Sequence, residues 1–146
     1  MLGSLAKWLR ILGFDTFYAN NELTDDDLLH IATIENRTVI SRDKELTSKG
    51  KKQGLKVIEI RNTDLDQQLN QVLDVVNIDE NLVLSRCSLC NTPLKKFKKS
   101  EVEGKVPQKV FDHHDKFWYC SKCKKFYWMG SHYEKITDKI KEITHN

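Results

Sequence analysis

The chain has 146 residues, of which 39% are hydrophobic and 31% are charged, a balance that allows a folded core and excludes wholesale disorder. No apolar run approaches the roughly 18 residues that a membrane span requires. The N-terminal MLGSLAKWLRILGF carries internal charges, unlike the continuous apolar stretch of a signal peptide, so we expect a soluble, cytoplasmic protein.

The first predicted element is an amphipathic helix at the N-terminus. Its apolar residues recur at spacings of three and four: Leu2, Leu5, Ala6, Leu9 and Leu12. Gly13 follows them as a C-terminal stop signal. The next segment, FDTFYA from Phe14, is predicted to be a short strand.

A second helix is predicted over LTDDDLLHIATIEN. Thr24 is placed as its N-cap, and Asp27 follows three residues later in a near capping box. Three successive aspartates suit the positive end of the helix dipole. We expect one stripe of this helix to face inward, made of Leu28, Ile31, Ala32 and Glu35.

The remaining elements before the first cysteine alternate between strand and helix. TVIS from Thr38 reads as a buried strand, RDKELTSKGKKQ as a short helix or a loop, and LKVIEI as another strand. DLDQQLNQVLDVV predicts a last helix with one apolar side: Leu65, Leu69, Val72, Leu73 and Val76. Such alternation implies crossover connections and a parallel sheet. We expect an α/β domain over residues 1–84, although its sheet lacks the strand that normally comes first.

All four cysteines of the chain lie in two C-x-x-C pairs that 29 residues separate. Each pair can place two sulfurs on one metal ion, and Cys87, Cys90, Cys120 and Cys123 together complete a tetrahedral Zn²⁺ site. Four protein ligands leave no open position, so this zinc would be structural. A thioredoxin-type redox pair is the alternative, but these pairs lie outside the βαβ pattern. We expect a small zinc ribbon with a C-terminal helix over residues 85–146.

Histidines and aromatic residues near the cysteines have less specific interpretations. His113, His114 and His132 are possible substitute ligands, but with four cysteines present we expect them to serve at the surface or in packing.

Six aromatic residues flank the second pair: Phe117, Trp118, Tyr119, Phe126, Tyr127 and Trp128. We expect most of them to form a small core over the zinc. One or two, if exposed beside lysines, could stack on nucleobases.

The net charge of +3 conceals two unlike halves. Residues 1–85 contain 10 Lys and Arg against 14 Asp and Glu, whereas residues 86–146 contain 14 against 7. A basic half can be an ordinary solvated surface. An acidic half beside a basic half also suits a metal-dependent nuclease, because the carboxylates of the first can bind cations and the lysines of the second attract phosphates.

Two carboxylates occupy positions that suit a second, catalytic metal. Asp25 begins the second helix, and Asp43 follows the strand TVIS at its C-terminal end, the edge of a parallel sheet where ligands bind. Carboxylates converging there could hold Mg²⁺ or Mn²⁺. The alternative is that Asp25 is a helix-start residue and Asp43 caps a turn.

Five of these segments occur in a combination that is specific although each alone is weak. In order along the chain they are MLGSLAKWLRILGFDTFYA, DDDLLHIA, NRTVISRDKEL, SRCSLCNTPL and FWYCSKCKKFYWMGSH. Together they resemble the Mut-seven C-terminal RNase domain family over nearly the whole chain. The resemblance implies a PIN-like nuclease fold followed by a zinc ribbon, and RNA cleavage by a cluster of metal-binding acids.

The resemblance also implies roles for individual residues. Asp25 and Asp43 match acidic positions of the family, Arg42 lies beside the second of them, and the four cysteines match the ribbon ligands. RNA is then the expected partner of Arg42 and of seven lysines: Lys95, Lys96, Lys98, Lys99, Lys122, Lys124 and Lys125.

This chain departs from the family pattern at its start. The family's first strand, which ends in an aspartate shortly before the position of Met1, is absent. We expect that the N-terminus is incomplete; otherwise the protein has lost one strand and one ligand. Two functions therefore follow from the sequence: a metal-dependent ribonuclease, and alternatively a non-catalytic module that binds RNA or a ribonucleoprotein.

Overall fold

The computed structural model describes residues 2–19 and 22–144, except the side chains of five residues in the last helix. These residues form a mixed α/β structure with a small parallel sheet and a separate antiparallel sheet. No helix among them is both long and apolar enough to cross a bilayer. The α/β class predicted from the sequence is therefore confirmed.

The chain divides into two compact units. The first comprises Met1–Ala6 with Thr16–Asn77, and the second comprises Lys7–Asp15 with Ile78–Asn146. A short N-terminal segment thus belongs to the same unit as the cysteine pairs. The predicted domains, which divide the chain after residue 84, remain a proposal.

The described part of the first unit is built around a crossover between two strands. Its elements in chain order are the start of α1 (Gly3–Ile11), then α2 (Asp25–Glu35), β1 (Val39–Ser41), α3 (Lys44–Lys52), β2 (Val57–Glu59) and α4 (Leu65–Leu73). Strands β1 and β2 pair in parallel, with Ile40 opposite Ile58. The predicted parallel sheet is confirmed, and the segment between the strands is a helix rather than a loop.

One cluster of the first unit's core lies between α2, α3 and the two strands. It consists of buried Leu29, Ala32, Val39 and Leu46, with Leu28, Leu55 and Val57 packed against them. Helix α4 also contributes buried side chains, Leu69 and Val72. Gly50 keeps α3 close to its neighbours, because an added Cβ would lie 3.0 Å from Val57 Cγ2 and 3.4 Å from Leu29 Cδ2. This packing fixes where β1 ends and α3 begins.

Helix α2 confirms its predicted cap but buries a different stripe. Thr24 Oγ1 accepts from Asp27 N at 3.1 Å, and the Asp27 carboxylate accepts from Thr24 N at 3.3 Å, so the capping box is complete. Leu29 and Ala32 are buried, whereas Glu35 is exposed. The prediction that Glu35 faces inward was wrong. Since Leu28 and Leu29 are both apolar, periodicity alone does not identify which one the core takes.

The strand predicted for FDTFYA was also wrong. Residues 14–19 form no strand or helix, and Phe17 and Tyr18 are each 45% exposed. A strand needs a neighbour for its backbone hydrogen bonds. Within the described residues the parallel sheet consists only of β1 and β2, and this segment adds no strand to it.

The described part of the second unit contains the antiparallel sheet. Its elements are a 3₁₀ turn (Glu80–Leu82), β3 (Lys95–Phe97), α5 (Lys99–Val102), α6 (Gln108–His113), β4 (Phe117–Cys120), β5 (Lys125–Trp128) and α7 (Ser131–Thr144). Strand β4 is central, with β3 and β5 on either side. The fully buried side chains of these elements are Val102, Phe117 and Cys120.

Gly13 connects the N-terminal segment of the second unit to the turn that precedes the first cysteine pair. Its φ is +98°, and a Cβ at this position would collide with the backbone carbonyl of Leu82. Close by, Leu84 N donates to Ile11 O at 2.8 Å. Only glycine allows both the left-handed backbone and this close approach.

We expect Gly13→Ala to destabilise the protein more than Gly104→Ala. Gly104 also has a positive φ, +79°, but an added Cβ would meet nothing within 4 Å. The free energy of unfolding of the Gly104→Ala control should therefore fall only by the cost of placing alanine in the left-handed region, about 1 kcal/mol. Chemical denaturation of both variants measures the difference, and equal losses would contradict the collision with Leu82.

Candidate metal centre and carboxylate edge

Four thiols converge in the second unit. The Sγ atoms of Cys87, Cys90, Cys120 and Cys123 all lie within 4.8 Å of one another, with Cys90 and Cys120 at 3.4 Å and Cys87 and Cys123 at 3.9 Å. Tetrahedral thiolates around Zn²⁺ at about 2.3 Å would lie about 3.8 Å apart. All four cysteines are free. The cluster therefore fits one four-coordinate ion such as zinc.

Two similar turns present these thiols. In the first, Asn91 N donates to Cys87 O at 2.8 Å, and Asn91 adopts a left-handed φ of 73°. In the second, Cys123 N donates to Cys120 Sγ at 3.3 Å, and Lys124 has a φ of 56°. Each pair is thus followed by a residue in the left-handed region, which reverses the chain after the second sulfur.

Two side chains outside the cysteine set contact the sulfurs. The Tyr127 hydroxyl lies 3.1 Å from Cys87 Sγ, and Thr92 Oγ1 lies 3.2 Å from Cys90 Sγ. Once the sulfurs are thiolates, these hydroxyls are placed to donate to them and to orient them on a metal. Sequence analysis assigned Tyr127 only to packing and missed Thr92, since a hydroxyl near a cysteine is common in sequences.

The thiols ionise unequally in the metal-free chain. Burial opposes ionisation of Cys90, but hydrogen bonds with Thr92 outweigh it and lower its pKa to about 6. The hydrogen bond with Cys90, together with burial, raises the pKa of Cys123 to about 12. Burial also raises the pKa of Cys120. At neutral pH Cys90 is therefore the first thiolate, and an arriving metal must displace protons from other thiols.

The N-terminal segment of the second unit holds the first turn in place. Arg10 Nη1 donates to the carbonyls of Ser88 and Leu89, both at 3.2 Å. Asp15 Oδ1 accepts from Asn91 Nδ2 at 2.7 Å. Sequence analysis missed both roles, because a charged residue on the polar side of a helix looks like any solvated one.

The predicted catalytic carboxylates lie on the first unit at exposed positions. Asp25 is the first residue of α2, and Asp43 follows β1 as the N-cap of α3. Asp43 Oδ1 accepts from Glu45 N at 2.9 Å and Leu46 N at 3.3 Å. Asp43 therefore lies at the carboxyl end of the parallel strands, and it also caps the helix as the alternative interpretation holds.

A third acidic ligand is not brought to these positions. Among residues 2–19 and 22–144, the four cysteines are the one group of three or more potential metal ligands that lie together. Asp26 instead pairs with Lys49 at 3.0 Å. This hydrogen bond raises the pKa of Lys49, and the charges of Asp26 and Asp25 add to the effect. Catalytic roles for Asp25 and Asp43 remain predictions.

The predicted RNA-binding cations differ in how they are engaged. Most are exposed: Arg42, Lys95, Lys96, Lys98, Lys122, Lys124 and Lys125. Lys99 is half-buried and pairs with Asp115 at 3.3 Å, with its ammonium 5.0 Å from the centre of the Phe111 ring. The Lys125 ammonium lies 5.5 Å from the Tyr127 ring. The exposed lysines of β3 and of the second turn are thus the most accessible.

The histidines do not join the thiols. His113 ends α6 and His114 caps it, and neither belongs to the described ligand cluster. The side chain of His132 lies outside the described residues. The expectation that cysteines alone form the cluster agrees with the described part of the chain.

Comparison with known proteins gives one match. The model of the Mut7-C RNAse domain family matches residues 1–140, which include both cysteine pairs and both predicted carboxylates. No curated protein and no solved structure matches the chain.

We expect one zinc ion per chain, bound more tightly as the pH rises. Thiol protons compete with the metal, so affinity should change about tenfold per pH unit for each proton displaced. Above the Cys90 pKa of about 6 that thiol contributes little, and the protons come from thiols such as Cys123, whose pKa is about 12. Competition with a chromophoric chelator at several pH values measures this. A pH-independent affinity, or far less than one equivalent of zinc, would rule out the four-thiolate site.

Tyr127→Phe should weaken zinc binding by roughly 10- to 100-fold, because Cys87 loses a hydroxyl that orients it. Tyr119→Phe is the matched control, since Tyr119 packs its ring against Phe97 and Phe126. Zinc affinities of the two variants are compared by chelator competition. If both bind zinc like the parent chain, Tyr127 does not act on the metal site.

Proposed function

Since the chain belongs to the Mut7-C RNAse domain family, we propose that it is a metal-dependent ribonuclease that hydrolyses RNA phosphodiester bonds. The observation that carries this proposal is the family match over residues 1–140, which spans nearly the whole chain. The proposal includes a PIN-like arrangement of the first domain, residues 1–84. It also includes a zinc ribbon over residues 85–146.

The carboxylates at the sheet edge fit a hard divalent cation in their chemistry. Both Asp25 and Asp43 are exposed oxygen donors of the kind that Mg²⁺ and Mn²⁺ prefer. The helix cap uses Asp43 Oδ1, which leaves Oδ2 for a metal. A bound cation would supply activation of water and neutralisation of charge on the phosphate.

The residues of the chain itself would bind and orient the RNA. The cap bonds hold the Asp43 carboxylate at the end of β1, so its position depends on the packed helix rather than on a mobile loop. Arg42 is exposed beside it and can pair with a phosphate. Fourteen Lys and Arg against seven Asp and Glu in residues 86–146 attract the RNA backbone.

A second function, a non-catalytic RNA- or ribonucleoprotein-binding module, has one observation in its favour. Within the described residues, neither Asp25 nor Asp43 belongs to a group of three or more potential metal ligands that lie close together. Two carboxylates leave a Mg²⁺ ion with more of its water and hold it loosely. Such a protein would still bind RNA through its basic half.

We expect the zinc-loaded protein to cleave end-labelled single-stranded RNA with Mg²⁺ or Mn²⁺, and Asp43→Asn to slow cleavage about 100-fold or more. Asparagine is a good N-cap, so α3 should persist. Asp79→Asn is the matched control, because Asp79 caps a 3₁₀ turn and follows no strand of the parallel sheet. Gel analysis of cleavage rates compares the three proteins.

Three outcomes separate the functions. Loss of cleavage in Asp43→Asn alone supports the ribonuclease and the site. Equal cleavage by all three proteins removes Asp43 from the site. Binding of RNA by the parent chain with no cleavage in either metal supports the binding module as the function of residues 1–146.

A further inference from the structure

One face of the antiparallel sheet in the second unit is lined by aromatic rings. Directly paired residues of neighbouring strands point to the same face. Across the three strands, Lys95 of β3 lies opposite Tyr119 of β4, which lies opposite Phe126 of β5. Two residues further along β3, Phe97 lies opposite Phe117 of β4. Because faces alternate every second residue, these five side chains share one face.

Three of these rings form a cluster that remains partly open to solvent. The ring centres of Phe97 and Tyr119 lie 5.1 Å apart, those of Tyr119 and Phe126 4.7 Å, and those of Phe97 and Phe126 5.6 Å. Each ring is only partly buried, whereas Phe117 on the same face is 1% exposed. Phe117 therefore belongs to the core, and the other three rings form a platform beside it on the same face.

The metal cluster does not account for this platform. Trp118, Cys120 and Tyr127 lie on the opposite face by the same alternation. Tyr127 reaches Cys87 from that side. Of the six aromatic residues expected to serve mostly as a core over the zinc, Tyr127 contacts a sulfur, whereas Tyr119 and Phe126 lie on the other face. The rings of Phe97, Tyr119 and Phe126 therefore need another explanation.

The strands that carry the platform have charges of one sign. The three strands, KKF, FWYC and KFYW, contain three lysines and no acidic residue. Lys95 is exposed on the platform's own face, next to Tyr119 in the pairing. Exposed Lys98 and Lys124 lie in the chain directly beyond the ends of β3 and β5. Rings flanked by exposed lysines complement a chain that offers flat bases and phosphates.

We propose that this face, defined by Phe97, Tyr119, Phe126 and Lys95, binds unpaired RNA by stacking nucleobases on its rings. Stacking on aromatic side chains tolerates any base, while lysines at the margin pair with phosphates. Bases inside a duplex are already stacked on each other, so the surface selects single strands. The inference rests on the proposed function, since it takes RNA as the ligand, and adds which form of RNA is bound and where.

The test uses variants that remove a ring but keep apolar volume. Phe126→Leu and Tyr119→Leu should each weaken binding of single-stranded RNA by about 5- to 100-fold and leave the salt dependence unchanged. Lys95→Gln should instead reduce the salt slope by about one counterion. Phe111→Leu is the matched control, since that ring lies under Lys99 on α6 and outside the platform. Tyr119→Phe keeps the ring and should bind normally.

Fluorescence anisotropy with labelled single-stranded and duplex RNA of equal length measures these affinities. The assays contain no Mg²⁺ or Mn²⁺, so no cleavage is expected, and zinc content shows that each variant is folded. The inference holds if the ring variants alone lose affinity for single strands while Phe111→Leu does not.

Other results would overturn it. They are no binding of single strands by the parent chain, equal affinity for the duplex, and ring variants that bind like the parent chain. A fourth is a poly-glutamate peptide that competes as well as RNA of equal charge, which would indicate a surface for acidic protein segments. A failed ribonuclease proposal looks different: RNA binding would still depend on the rings, but the parent chain would not cleave with either metal.

Discussion

The convergence of four sulfur atoms within 4.8 Å is the constraint on which the second unit depends. Apart from the cysteines, the buried hydrophobic side chains in the described part of this unit are Leu9, Ile11 and Leu12 of the N-terminal segment together with Val102 and Phe117, a small core for the number of residues it must order. Four unliganded thiols at this spacing would gain little from one another. A metal such as zinc would make their assembly favourable, and its binding energy would then be folding energy.

The same constraint organises the surface of that unit. Cys120 ends β4 and the second turn leads directly into β5, so the convergence of the thiols is coupled to the pairing of these two strands. The strand pairing in turn determines on which face of the sheet each aromatic side chain lies. Tyr127 lies on the face of the sulfurs, while Tyr119 and Phe126 lie on the other face. A site that serves stability on one face thereby leaves a face of rings and lysines available for binding on the other.

In the first unit, the decisive feature is the parallel pairing of β1 and β2. It brings the carboxyl ends of both strands to one edge, and Asp43 enters α3 there with one oxygen fixed by backbone amides. A capping role and a metal-binding role are compatible, because a carboxylate has two oxygens. Asp25 starts a different helix, where its charge adds to the effect of Asp26 in raising the pKa of Lys49. Catalysis by this edge therefore has to be established by activity.

The sequence by itself determined the features that depend on local spacing. Two C-x-x-C pairs predicted the cluster, Thr24 with Asp27 predicted the capping box, and alternating apolar runs predicted the parallel strands. What required tertiary structure was every choice between locally equivalent residues. Leu29 is fully buried while its neighbour Leu28 is only partly buried, residues 14–19 form no strand, and Arg10 binds a turn 78 residues away. These outcomes depend on contacts between residues that are far apart in the sequence. The periodicity of a short segment contains no information about such contacts.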